Sequence, residues 1–223
     1  MRVVALCSGG KDSSYALWLA MQSGHNITGV VAMIPRREDS WMFHFPNIRL
    51  IDLFAECSGL PLIKSETSGE REQELDDLKR VLQSVDAEGV VSGTVASKYQ
   101  KSRIDKICSE LGLKSLTPLW GMDAVGLIRN MLRDGFKIII TAVAAQGLDA
   151  SWLGRELDAK ALMELNQLNK KYGINQIGEG GEYESLVVDA PFFKRKIELL
   201  EAEPVWRGTN GYYLIKGAKV VGK

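Results

Sequence analysis

Two short stretches of the 223-residue chain combine residue types that could do chemistry. The first is Ser8-Gly9-Gly10-Lys11-Asp12-Ser13, set between the apolar run Val3 to Cys7 and the apolar-periodic run Ala16 to Met21. That setting predicts a buried strand turning sharply into a helix. The two adjacent glycines carry no Cβ, so the backbone can bend tightly and approach a ligand, and Ser13 or Ser14 can cap the first helical turn. The N–H groups of such a helix start form an anion site, but the helix dipole gives an exposed anion only about 0.3–1 kcal/mol. Lys11 adds a full charge, worth roughly 4 kcal/mol at about 4 Å and an effective dielectric of about 20. The chemistry this stretch suits is polyphosphate binding. The second stretch, Gly178-Glu179-Gly180-Gly181-Glu182-Tyr183-Glu184-Ser185, places three carboxylates and three glycines within eight residues. Such acids could bind cations or activate a nucleophile, and they could equally form a solvated acidic turn; spacing alone leaves both open.

The type of phosphate loop narrows by elimination. A Walker A loop requires Gly five residues before its Gly-Lys pair and Ser or Thr after the Lys, where this chain has Ala5 and Asp12. A Gly-x-Gly-x-x-Gly fingerprint is also missing, since Gly9 and Gly10 are adjacent and no third glycine follows at the required spacing. Ser8 to Ser13 resembles the pyrophosphate loop of the N-type ATP pyrophosphatases, which grips the β,γ-phosphates that leave as pyrophosphate.

The elements that must position these residues alternate through the first half. Strand 2–7, helix 12–23, strand 28–34, helix 48–59, strand 61–65, helix 70–85, strand 89–94 and a helix from Ser97 to Leu111 are expected from apolar periodicity. This alternation requires crossovers and predicts an α/β, Rossmann-like parallel sheet with helices on both faces. Ligands collect at strand carboxyl ends in such sheets, here Ser8 to Ser13, Met33 to Arg37 and Gly93 to Ser97. Leu116 to Trp120, broken by Pro118 and Gly121, reads as a linker. It separates a domain over 1–115 from a smaller α+β subdomain over 116–223. The latter is expected to hold a helix from Asp123 to Asp134, a strand 137–145, a helix 155–172 stopped by Gly173, a strand Leu186 to Asp189 and a terminal hairpin turning at Thr209-Asn210-Gly211.

The Ser8–Ser13 loop together with Glu-Gly-Gly-Glu-Tyr-Glu at 179–184 and Asp189-Ala190-Pro191 resembles the diphthine–ammonia ligase family. Met42-Phe43-His44 with Pro46-Asn47, Tyr99-Gln100 with Arg103, Pro118-Leu119-Trp120, Ala144 to Asp149 and Leu153-Gly154-Arg155 agree with it in order. The likeness extends to about residue 197, and Ser185 stands where many relatives have Thr. It implies ATP-dependent amidation of diphthine on elongation factor 2 by ammonium, through an acyl adenylate, with release of AMP and pyrophosphate. ATP and Mg²⁺ are the implied cofactors, and the protein substrate and ammonium the implied partners. Ser8, Gly9, Gly10, Lys11 and Ser13 would hold the leaving pyrophosphate, with Asp12 placing the metal. Met33 backbone, Gly93 and Gln100 are nucleotide-binding candidates. Arg103, a natural fork for phosphate or carboxylate, and Glu179, Glu182 and Glu184, with Glu182 first, are the catalytic candidates. No glutaminase domain or N-terminal nucleophile is seen, so free ammonium is the expected donor.

Composition limits the rivals. Lys plus Arg and Asp plus Glu are 28 each, so no global basic field draws nucleic acid or a membrane surface. No apolar run approaches the roughly 20 residues that span a bilayer. Cys7, Cys57 and Cys108 are scattered without C-x-x-C spacing, which argues against a zinc or cluster site and for a reducing compartment; cytoplasm is the expected location. A tRNA-thiolating enzyme of the same superfamily, needing sulfur-carrying cysteines and a basic surface, is the nearest alternative, and a non-catalytic adenine-nucleotide sensor the second. A homodimer is compatible with the sequence. His44, among Trp41, Met42, Phe43 and Phe45, is read as a half-buried histidine or a functional one.

Overall fold

The apolar run after Met1 forms β1 (Arg2–Leu6), which pairs in parallel with β2 (Asn26–Pro35) on one side and β4 (Gly89–Val91) on the other. The computed structural model describes residues 1–35, 47–67 and 71–223. Strands β3 (Leu62–Thr67) and β5 (Lys114–Leu116) extend the sheet to the order β3-β2-β1-β4-β5, all parallel. Each connection therefore crosses over, through α1 (Lys11–Gln22), α2 (Ile51–Ser58), α3 (Arg71–Gln83) and α4 (Lys98–Glu110). The chain runs outward from β1 to β3 and then returns to β4, so the order reverses between β1 and β4. Loops after those two strands leave on opposite sides and open a crevice at their carboxyl ends.

The pleat divides the apolar residues between two faces. Val4, Val31, Met33 and Val90 pack with Leu78, Val81 and Leu82 of α3 and with Ile104, Ile107 and Cys108 of α4. Val3, Ala5, Val30 and Ala32 project to the other face, where right-handed crossovers carry α1 and α2. Tyr15, Leu17, Ile51 and Phe54 are buried there. Each such Val, Leu or Phe contributes about 1.5–3 kcal/mol by leaving water.

Contacts divide the chain into two units. The first comprises Met1–Ser8, Asp12–Ala55 and Leu60–Trp120; the second comprises Gly9–Lys11, Glu56–Gly59 and Gly121–Lys223. Three loop residues thus belong to the second unit, although the sequence suggested one cut at 115–116. In that unit α5 (Ala124–Arg133) is capped by Asp123, whose carboxylate accepts from Gly126 N. Helix α6 (Ala159–Tyr172) is capped by Asp158, which accepts from Ala161 N, and stops at Gly173 with φ 73°. Strands β6 (Lys137–Val143), β7 (Tyr183–Asp189), β8 (Lys196–Trp206) and β9 (Gly211–Val221) form an antiparallel sheet of order β7-β6-β9-β8.

Three elements differ from the sequence expectation. Lys114–Leu116 is a strand, although its three residues show almost no pattern, because it completes the sheet beside β4. Helix α6 begins at Ala159 rather than 155, since Arg155 and Leu157 spend their main chain on β6: Ile140 N donates to Arg155 O at 2.9 Å and Leu157 N to Ile138 O at 2.8 Å. Strand β7 begins at Tyr183, so the last residues of the acidic stretch are strand rather than loop. Among the described residues no helix is long and apolar enough to cross a membrane.

Candidate functional site: the Ser8–Ser13 loop and the Gly178–Ser185 turn

In the first unit the loop ends are tied by hydroxyls. Ser8 N donates to Ser13 Oγ at 3.3 Å, and the two Oγ atoms also lie 3.3 Å apart. The end of β4 presses on the start of α1: a Cβ on Gly93 would lie 2.5 Å from Ser13 N and 2.7 Å from the Asp12 carbonyl carbon. Glycine is required at 93 by this approach. Asp12 lies in the first turn of α1, where the helix N-terminus favours a carboxylate. Met33 is buried in the core beneath α3 and α4, so only its main chain is available at the end of β2. Gln100 lies in the first turn of α4, its N donating to the capping Ser97 Oγ at 3.3 Å. Arg103 stacks on the Tyr99 ring, its guanidinium carbon 3.4 Å from the centroid, and is half-buried.

In the second unit the middle of the loop is gripped by β7. Gly9 takes φ 81°, in the left-handed region that favours glycine, and its carbonyl accepts from Val187 N at 2.9 Å. Lys11 N donates to Ser185 Oγ at 3.2 Å. The Lys11 ammonium lies 4.9 Å from the Tyr183 ring centroid, and Lys11 is only 3% exposed. Tyr183, Ser185 and Val187 alternate along the strand and so share one face. Two side chains on one face of β7, Tyr183 and Ser185, and the main-chain N–H of Val187 on the open edge of that strand thus hold Gly9–Lys11. Glu184 projects to the opposite face by the same alternation.

The acidic stretch holds itself together. Glu182 Oε1 accepts from Asn175 N at 2.9 Å and Oε2 from Gly180 N at 2.8 Å. A Cβ on Gly180 would sit 2.8 Å from Glu182 Oε1, and one on Gly178, at φ 77°, would sit 2.9 Å from Tyr183 O. The glycines are there because the turn folds back on its own glutamate and tyrosine. Tyr183 OH donates to Gln176 O at 2.8 Å, fixing the ring beneath Lys11. Glu179 and Glu184 are half-buried. Sequence reasoning missed Tyr183, Ser185 and Asn175; the alternation Tyr183, Ser185, Val187 was the signal for the first two.

Other matched stretches have visible structural work. Arg155 forms a two-pronged pair with Glu164 at 2.6 and 2.9 Å and lies over Trp152. A Cβ on Gly154 would meet the Tyr213 ring at 2.6 Å, and Asp149 caps the turn at Ser151. A separate cleft of about 360 Å³, lined by Gln146, Gly147, Trp206, Thr209 and Asn210 among others, holds none of the expected site residues. All three cysteines are buried and none is in a disulfide, and burial pushes the Cys57 and Cys108 thiols up to about 11. His44, with the rest of the Met42 to Pro46 stretch, lies outside the described residues.

Family models match both halves, the diphthamide synthase N-terminal domain over residues 1–115 and the C-terminal domain over residues 123–221. Proteins named diphthine–ammonia ligase are similar: one from Mus musculus and one from Homo sapiens are each 35% identical, over 95% of this chain and 88% of theirs. One from Schizosaccharomyces pombe is 37% identical over 92% of this chain, which spans only 37% of that longer protein. A solved Methanocaldococcus jannaschii structure, described as a predicted subunit of tRNA methyltransferase, superposes with a TM-score of 0.47 at 16% identity, over 86% of this chain and 98% of that one. With both domains matched in order and the likeness running along nearly the full length of the mouse and human proteins, the chain belongs to the diphthamide synthase family.

Proposed function

We propose that this chain is an ATP-dependent amide ligase that converts diphthine on elongation factor 2 to diphthamide with ammonium, through an acyl adenylate. The observation that carries the reading is the turn into α1: the Ser8 and Ser13 hydroxyls, 3.3 Å apart, and the helix N-terminus form a donor set of O–H and N–H groups suited to phosphate oxygens. The relatives named diphthine–ammonia ligase supply the substrate class.

The donor set fits a polyphosphate. ATP supplies an adenylyl group that makes the substrate carboxylate displaceable by ammonia, releasing pyrophosphate and then AMP. Lys11 neutralises charge gathering on the departing phosphates, and the Ser8 and Ser13 hydroxyls orient them; such catalysis is positioning plus electrostatics. Met33 main chain, Gly93 and Gln100 line the nucleotide side, and Arg103 offers a fork to a phosphate or to the substrate carboxylate. Asp12, phosphate oxygens and water would hold Mg²⁺, an ion that commonly takes one or two carboxylates and keeps several waters. Glu179 and Glu184 are the candidates to orient ammonia. Glu182, ranked first by sequence, has backbone donors on both carboxylate oxygens, so it acts through the shape of the turn.

Thiolation is the weaker reading. It needs a reactive thiolate, whereas Cys57 and Cys108 are held protonated by burial. A nucleotide sensor differs in having no turnover. The test is ATP–pyrophosphate exchange with purified diphthine-bearing elongation factor, followed by AMP release and mass analysis of the product with ammonium. Exchange and amide formation are expected, and Lys11→Ala is expected to lower turnover at least tenfold. Neither exchange nor AMP with all substrates present sinks the ligase reading.

A further inference from the structure

We infer that Tyr99 is a positioning residue for Arg103, holding the guanidinium by its face so that its N–H fork stays open to an anion at the carboxyl end of the parallel sheet. The inference rests on the proposed ligase reading, which places ATP and a substrate carboxylate there. Both residues stand in the first turns of α4, which follows β4 directly and so begins where the strand order reverses. They lie four positions apart and are neighbours on one helix face. The Arg103 guanidinium carbon is 3.4 Å from the Tyr99 ring centroid. An edge-on guanidinium at that distance would drive a nitrogen into the ring, so the two planes stack. The Tyr99 hydroxyl has no hydrogen-bond partner among the described residues, so the ring face is what this side chain offers.

Arg103 makes no hydrogen bond or ion pair among the described residues, and its Nε is buried without an acceptor. The two acids of α4 are engaged elsewhere, Asp105 with Lys101 and Glu110 with Lys79. Arg155 shows the contrasting arrangement. It lies over the Trp152 ring at 4.4 Å, yet its fork is already closed on Glu164 at 2.6 and 2.9 Å. A guanidinium carries five N–H donors in a rigid plane, so a ring beneath that plane restrains the long side chain without consuming a donor. The buried Nε–H without an acceptor is a cost that an arriving oxyanion relieves. Two groups of the proposed reaction could fill the fork, a nucleotide phosphate and the substrate carboxylate; both are oxyanions that accept two parallel N–H bonds.

Tyr99→Phe keeps the ring face, Tyr99→Leu removes it, and Arg103→Met removes the fork. Two measurements distinguish the anions: calorimetric binding of magnesium ATP against adenosine, and kcat/KM for diphthine-bearing elongation factor at saturating ATP. Tyr99→Leu is expected to lose roughly three- to tenfold in at least one of them. A loss in ATP binding assigns the fork to phosphate, and a loss in kcat/KM alone assigns it to the carboxylate. Tyr99→Phe should match the wild type, adenosine binding should stay flat, and Tyr99→Leu should cost nothing further once Arg103→Met is present. Wild-type values for Tyr99→Leu in both measurements, with Arg103→Met impaired, overturn the role of Tyr99. Losses that add in the double variant also overturn it, as do equal losses for ATP and adenosine, since these are general structural effects. Wild-type behaviour of Arg103→Met in both measurements overturns the anion seat itself. A wild-type protein that binds ATP yet never amidates the elongation factor sinks the ligase reading, and ATP binding by the variants then decides this inference alone.

Discussion

Glu182→Gln separates a chemical role for the acidic stretch from a scaffolding one. In the protein both carboxylate oxygens are occupied by main-chain donors, Asn175 N at 2.9 Å and Gly180 N at 2.8 Å. Glutamine supplies one oxygen, and its NH₂ group then faces the second donor. Losing a hydrogen bond to a charged group costs about 1.5–3 kcal/mol. Gly180 is exposed and Glu182 half-buried, so water recovers part of this and about 1–2 kcal/mol remains. For a chain of this size each kcal/mol moves the melting temperature by about 2–4 °C, which gives a fall of roughly 2–8 °C. Thermal denaturation, amide exchange over 175–182 and ATP–pyrophosphate exchange should be measured on the same preparation. The expected result is a lower melting temperature, faster amide exchange in the turn and a matching drop in activity. A variant with wild-type melting and wild-type protection that has nonetheless lost amide formation would refute the scaffolding argument and make Glu182 a reacting group.

Ser185→Ala removes the acceptor of the Lys11 N–H; at 3.2 Å the bond is long, so about 1 kcal/mol and a fall of roughly 2–4 °C are expected, while Ser185→Thr keeps the hydroxyl and should melt with the wild type. Alanine and threonine variants melting alike would count against the bond. Gly93→Ala must push the start of α1 away from β4, because the new Cβ meets backbone at 2.5 Å; a loss of about 1–3 kcal/mol by chemical denaturation, with weakened ATP binding, is expected, and unchanged values would show that the approach is looser. Burial raises the Cys57 and Cys108 thiols from the usual 9.0 to about 11, so the protonated form is favoured by folding. The associated stability is complete below pH 9 and is lost as pH climbs towards 11. Neither thiol should react with a disulfide reagent at pH 8 until denaturant is added, and rapid labelling of the native protein would contradict this.

Much of this was legible in residue types and spacing. The turn at Ser8 to Ser13 follows from two glycines between an apolar run and a helical period, and the parallel sheet from the alternation of strands and helices. Asp123 and Gly173 marked their helix ends because capping is local chemistry that a few residues settle. Lys114–Leu116 was not legible, since a three-residue strand has too little pattern and is made by its neighbour's open edge. The start of β7 was hidden because Glu182 and Glu184 make the stretch look like loop, whereas the strand is imposed by pairing with β6.

The sequence by itself determined that a Gly-Gly-Lys turn between a strand and a helix and a glycine-rich acidic stretch exist in one chain, because both are encoded by neighbouring residues. Only the tertiary structure decided that Tyr183, Ser185 and Val187 grip Gly9 to Lys11, and that Glu182 spends its carboxylate on its own turn. Those contacts join residues about 175 positions apart, or depend on how a turn closes, and no local preference specifies either. Long-range burial, the register of β7 and the closure of the turn before it fix them instead.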